Sequence, residues 1–186
     1  MYTILKLVSR IAPFVRGGGY WFLINIFGGQ CSGIPLVDRG VFIKYPFHKG
    51  WKLGKGVRIG PGCYFDIPLG SVLELGNDSK LTKDVVISSA NKVVIKSDVL
   101  IAEFCSIRDS SHGIVGDCRI RLQPLKIGKI TIGNDVWLGK SVSLIGNVTL
   151  GDGVVLGVGA FCKDKDIGAG DVLVGVPAKK ISQRGG

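Results

Sequence analysis

Acidic residues are scarce in this chain: 14 Asp and Glu stand against 24 Lys and Arg, a net charge of +10 over 186 residues. That balance points to an anionic partner, whether nucleic acid, nucleotide or phospholipid. Nucleic acid falls away, because no recognised binding motif is present and the basic residues are scattered. Histidine is scarcer still. His48 and His112 are the only two, far apart in the chain, and a three-histidine metal site is therefore not expected. The five cysteines show no pairing pattern, which argues against a disulfide framework and for a reducing compartment. The uncharged stretch 17–37 contains six glycines, an Asn, a Gln and a Pro, a poor composition for a membrane-spanning helix. No signal-peptide cleavage pattern is evident, so a cytoplasmic location is expected.

Glycine, by contrast, is abundant at 29 residues, with 46% hydrophobic residues and a mean hydropathy of +0.35. A single β-rich domain with many tight corners accounts for that combination. The corners recur. From Ile132 the chain divides every six residues into IGNDVW, LGKSVS, LIGNVT, LGDGVV and LGVGAF. The first position holds Ile132, Leu138, Leu144, Leu150 and Leu156, then Cys162, and the fifth is always Val or Ala. The same division fits LGKGVR and IGPGCY from Leu53, LGNDSK from Leu75, and IKSDVL, IAEFCS and IRDSSH from Ile95. Each hexad reads as a short strand and a turn, with its first residue in a narrow core. Three hexads make a triangular coil, and coils stack in parallel about 4.8 Å apart. Cys63, Cys105 and Cys162 fall on repeat positions and read as packed thiols; Cys31 and Cys118 have no assignment.

The phase slips between Phe65 and Leu75 and between Ile87 and Ile95, and breaks altogether between Ile107 and Ile132. A long excursion from a compact solenoid is usually functional. This one, loop 108–131, begins beside His112. At the other end of the chain, Ile4, Leu7, Val8, Ile11 and Val15 follow helical spacing, predicting an amphipathic helix over 2–15 kinked by Pro13. Two readings of that helix stand open: peripheral contact with a membrane, or packing on the end of the main domain. The expected division is an N-terminal helical or irregular segment 1–40, the coil 41–167, and a tail 168–186.

The stretch "IGNDVWLGKSVSLIGNVTLGDGVVLGVGAF" followed by "KDIGAGDVLVGVPAKKI" resembles the hexapeptide-repeat acyltransferases, in particular their sugar O-acetyltransferase branch. "IRDSSHGI" is most similar to enzymes of bacterial surface polysaccharide assembly. The resemblance implies an all-β fold, a left-handed parallel β-helix, assembled as a homotrimer with cyclic symmetry. It implies acetyl-CoA as co-substrate, a glycan or sugar acceptor, no metal, and His112 as catalytic base. An imidazole, titrating at about 6.5, can take a proton from an acceptor hydroxyl as that hydroxyl attacks the thioester.

The same resemblance places Trp137, Gly139 and Lys140 of "VWLGK" and Val158 of "LGVG" along the pantetheine groove. It places Lys179 against phosphate, together with either Lys163 or Lys165, because "FCKDKDI" is one residue longer than the family spacing. Thr82 stands where small-sugar relatives carry an acceptor-site Asn, so a simple galactoside or maltose substrate is not expected. Asp109 is a candidate to orient His112; His48 has no assigned role. Three other functions compete: N-acetylation of an amino-sugar nucleotide or another amine, metal chemistry of the γ-carbonic anhydrase kind, and a non-catalytic β-helix scaffold. Location at the inner face of the membrane is the further expectation if the N-terminus touches lipid.

Overall fold

A computed structural model describes residues 2–185 and, for residues 2–10, the backbone alone. Hexad chemistry builds it. First-position residues Leu53, Ile59, Leu75, Ile95, Ile101, Ile107, Ile132, Leu138, Leu144, Leu150 and Leu156 are buried, as are Val57, Cys63, Val99, Cys105, Val136 and Ala160 at the fifth position. The sixth position points outward. The fourth turns the corner in the left-handed region of φ, as at Asp98 (60°), Asp135 (54°) and Gly153 (72°). That conformation is the reason Gly and Asp recur there.

The short parallel strands form a three-sided coil of stacked rungs. The first face carries Gln30–Cys31, Trp51–Leu53, Val72–Leu75, Lys92–Ile95 and Lys129–Ile132 in successive rungs. The second carries Leu36–Val37, Arg58–Ile59, Lys80–Leu81, Leu100–Ile101, Trp137–Leu138, Val155–Leu156 and Asp171–Val174. The third carries Phe42–Ile43, Tyr64–Asp66, Val86–Ser88 and Ser106–Arg108. The long strands Ser143–Leu150 and Phe161–Ile167 bend from the third face onto the first, each serving two rungs. We call the edge where the chain passes from the third face to the next rung the return edge. The edge between second and third faces is the far edge.

Every phase slip lies on the return edge: residues 44–50, 67–71, 89–91 and 109–128 all connect a third-face strand to the next first-face strand. Insertions there leave the stacking of the other corners undisturbed.

Helix α1 (Tyr2–Ile26) runs past Pro13 and the glycines beyond it, eleven residues longer than the spacing predicted. Tertiary packing overrides propensity. Ile24 is fully buried at the open end of the coil, Tyr20 stacks edge-on against Phe47, and Phe47 against the buried Trp51. Gly17 permits the approach, since a Cβ there would strike the Pro35 carbonyl oxygen. The domain bounds shift accordingly. The coil starts at Gln30, not 41, because α1 covers the first rung, and it continues to Val174, where the antiparallel strand Lys179–Gln183 closes the second face.

Candidate active site

Ser110–His112 leaves the return edge above the fourth rung and pairs antiparallel with Leu125–Ile127, forming a projecting arm. Gln123 fastens its tip, accepting from Val115 N and donating to the carbonyls of Val115 and Cys118. His112 is exposed near the base of that arm. Six large apolar residues of the arm are also exposed: Ile114, Val115, Ile120, Leu122, Leu125 and Ile127.

Asp109 does not orient His112. Its buried carboxylate accepts from the backbone amides of Ala90 (2.6 Å), Asn91 (2.8 Å) and Lys92 (2.8 Å) and from Ser89 Oγ (3.2 Å). Asn91 also donates to Gly128 O at the far root of the arm, and Gly128 N donates to Asp109 O. The turn 89–91 thus pins both roots, and Asp109 places His112 without touching it. Asp109→Ala, by orphaning these buried donors, is expected to cost about 3 kcal/mol or more. For a chain of this size that lowers the thermal midpoint by roughly 10 °C, read by thermal unfolding. The pH profile of the remaining activity should be unmoved; wild-type stability with a shifted profile would restore the orienting role.

Trp137, half exposed, stands in the outward column of the second face between Leu100 and Val155. Around the far edge lie Gly139, Lys140 and Val158, the last 72% exposed. Lys140 pairs with Glu103 at 3.8 Å, and its ammonium sits 5.5 Å from the Phe104 ring. Thr82 is on this edge too, its Oγ1 buried and without a hydrogen-bond partner. Phe104 was not singled out from the sequence. It is a half-exposed aromatic at a fourth hexad position, held at φ 61° where this chain otherwise places mostly Gly and Asp, a strain of about 1–2 kcal/mol. The signal was legible: a bulky residue in "IAEFCS" at the one hexad position that disfavours it.

The lysines divide between edges. Lys163 lies in the third-face column above Arg108 and Ile145, by the return edge, and Lys165 follows it around that corner. The Lys165 ammonium donates to Ala178 O at 2.7 Å, whereas Lys163 is exposed and Lys179 lies exposed on the closing strand. Within one chain, then, His112, Lys163 and Lys165 share the return edge, while Trp137, Gly139, Lys140 and Val158 occupy the second face and far edge.

His48 is structural. Its Nδ1 accepts from Gly50 N at 3.1 Å and its Nε2 faces Ile67 O at 3.1 Å, which uses both ring nitrogens inside the fold. The buried thiols of Cys63 and Cys105 are pushed up to about 11 by burial, a poor state for nucleophiles. No cluster of His, Cys, Asp and Glu suited to a metal occurs among the described residues.

The model of the bacterial transferase hexapeptide (six repeats) matches residues 129–164. Over 176 residues the chain is 30% identical to the galactoside O-acetyltransferase of Escherichia coli K12, covering 86% of this chain and 85% of that one. It belongs to the hexapeptide-repeat acetyltransferases. This acetyltransferase is also 29% identical to the putative lipopolysaccharide biosynthesis O-acetyl transferase WbbJ of the same organism, covering 97% of this chain and 94% of that one. Among solved structures, AntD, an N-acyltransferase from Bacillus cereus, shares the fold with a TM-score of 0.71 at 21% identity, covering 86% of each chain.

Proposed function

We propose that this acetyltransferase moves the acetyl group of acetyl-CoA directly to a hydroxyl of a sugar in bacterial surface polysaccharide assembly, with His112 as general base. One observation carries the reading: the long break in a regular coil delivers a single exposed imidazole at the base of a pinned arm. A neutral ring nitrogen takes the acceptor hydroxyl proton as the oxygen attacks the thioester carbonyl. The oxyanion is held by a preorganised backbone N–H of a neighbouring coil, and collapse expels the CoA thiolate, which regains the proton. The raised thiols of Cys63 and Cys105 favour direct transfer over an acyl-cysteine. Among the relatives, the galactoside O-acetyltransferase and WbbJ supply the sugar and polysaccharide context by their names.

The finer reading has the coil left-handed and the protein a cyclic homotrimer. The split of candidate residues between two edges supports a site made by two subunits, one giving His112 and the other the groove of Trp137, Gly139, Lys140 and Val158. The apolar arm residues would be buried by the same contact. Lys163 and Lys179 meet the CoA phosphates; Lys165, already bound to Ala178 O, is the weaker candidate. Thr82 is kept as an acceptor-side residue. Ile11, Phe14, Val15, Phe22 and Ile26 are exposed on one face of α1, and with Phe27 and Leu69 they support peripheral contact with the inner face of the membrane. No helix among the described residues is long and apolar enough to cross a membrane.

Amine acetylation is the second reading, favoured by the structural likeness to an N-acyltransferase held with dTDP and 3-hydroxybutyryl-CoA. Incubation of candidate glycans with labelled acetyl-CoA and mass spectrometry tests both. An ester label released by hydroxylamine is expected; a resistant amide label would install the second reading. Charge reversal at Lys163 and Lys179 should weaken acetyl-CoA about tenfold or more while sparing dephospho-CoA. Equal loss for the two cofactors would make these lysines structural.

A further inference from the structure

Below the level of His112, between α1 and the second and third rungs, lies a cleft of about 570 Å³. Pro13 of α1 lines it together with Leu36, Arg58 and Lys80, stacked in one column of the second face, and with Thr82 and Lys83 beyond them. Arg58 and Lys80 are register partners on adjacent strands of the second face, about 4.8 Å apart. Two like charges directly opposite destabilise a sheet, and no ion pair among the described residues holds either one. Their column neighbours are Leu36 and Leu100, and neither side chain makes an ion pair among the described residues. Lys83 is shared with Asp84 at 3.5 Å, and Asp38, the cleft's one carboxylate, stands 4.0 Å from Arg16. Thr82 Oγ1 is a buried hydroxyl without a partner in the same wall. A local rule broken at a cleft, with neither cation of the pair bridged to a carboxylate, marks a place where a ligand completes the structure.

We propose that this cleft binds the diphosphate through which the acceptor glycan is linked to its carrier. Three cations against the Asp38 carboxylate leave two positive charges, equal to the two negative charges of a diphosphate esterified at both ends, and the Arg58 guanidinium supplies the planar fork suited to phosphate oxygens. CoA does not account for the cleft. Trp137 lies two rungs above Lys80, and Lys179 flanks the strand four rungs above it, roughly 20 Å along the coil. A threefold axis parallel to the coil keeps neighbouring rungs level, so the upper groove of a partner stays above the cleft as well. Levels therefore run diphosphate, His112, thioester. This inference rests on the acetyl-transfer reading for the identity of the glycan and on the trimer reading for the exclusion of a partner's CoA.

The test is calorimetric titration of the full-length protein with inorganic pyrophosphate, compared with an Arg58→Gln/Lys80→Gln variant whose altered side chains point away from the core. The wild type should bind pyrophosphate, and the variant should bind it at least tenfold more weakly while holding acetyl-CoA with unchanged affinity. With acceptors, the KM for a diphosphate-linked glycan should rise about tenfold at nearly constant kcat, with no change for a neutral glycan. A nucleotide-diphosphate sugar and a polyprenyl-diphosphate glycan, run in parallel, identify the carrier. Equal pyrophosphate binding by the two proteins, or no binding by either, overturns the proposal. So does loss of acetyl-CoA affinity in the variant, which would assign the cleft to CoA. Failure of the acetyl-transfer reading would show separately, as wild-type protein that binds pyrophosphate but transfers no acetyl group.

Discussion

His112→Ala lowers turnover roughly 10²–10⁴-fold, the range typical for removal of a general base, while acetyl-CoA affinity and thermal midpoint stay at wild-type values. The two halves of this expectation have separate grounds. His112 is exposed, and its ring makes no hydrogen bond to the described residues, so truncation removes no packing and orphans no buried partner. The arm keeps its anchors, because Asp109 and Asn91 hold the roots and Gln123 the tip. Loss of rate therefore reports the imidazole itself. Single-turnover transfer from labelled acetyl-CoA, measured beside calorimetric CoA binding, checks both halves. Turnover above a third of the wild-type value would remove His112 from the mechanism.

Mixing two inactive chains restores about a quarter of wild-type activity, the statistical yield for a cyclic trimer whose sites each take one residue set from each of two subunits. One chain carries His112→Ala; the other carries Trp137→Ala with Val158→Asp and keeps its histidine. After joint refolding at equal amounts, three quarters of the trimers are mixed, and each mixed trimer holds one interface where an intact histidine meets an intact groove. That pairing follows from placement: Trp137 projects from the second face, while His112 leaves the return edge. A site confined to one chain would give no rescue in trimers verified as mixed. A monomer by light scattering would end the two-subunit reading outright.

Much of this was legible in the chain. A six-residue period with an aliphatic first position, a small fifth and a left-handed fourth dictates which residues point inward, and the burial of Leu53, Ile95, Ile132 and Leu156 follows from it. The break before Ile132 located the arm and its histidine. Asp109 misled because proximity in sequence to His112 suggested a hydrogen bond, whereas a carboxylate on a coil edge meets the amides of the rung below. The placement of the lysines was equally hidden. Lys163, Lys165 and Lys179 sit close together in the chain, yet a bend of Phe161–Ile167 around the return edge and the reversal into Lys179–Gln183 set them on different sides. The helix outran its pattern, since Ile24, Tyr20 and Gly17 are chosen by the open end of the coil and not by amphipathic spacing.

The sequence by itself determined the repeat, the inward and outward alternation, the interruption and the family, because each is a property of short spacing along one chain. Tertiary structure decided which edge each residue occupies, through phase slips gathered on the return edge. It alone set Arg58 against Lys80, residues 22 positions apart brought into register by one full turn of the coil. The physical reason is the coil's closure: stacking converts distance along the chain into adjacency across rungs, and no local pattern encodes how many residues a corner absorbs.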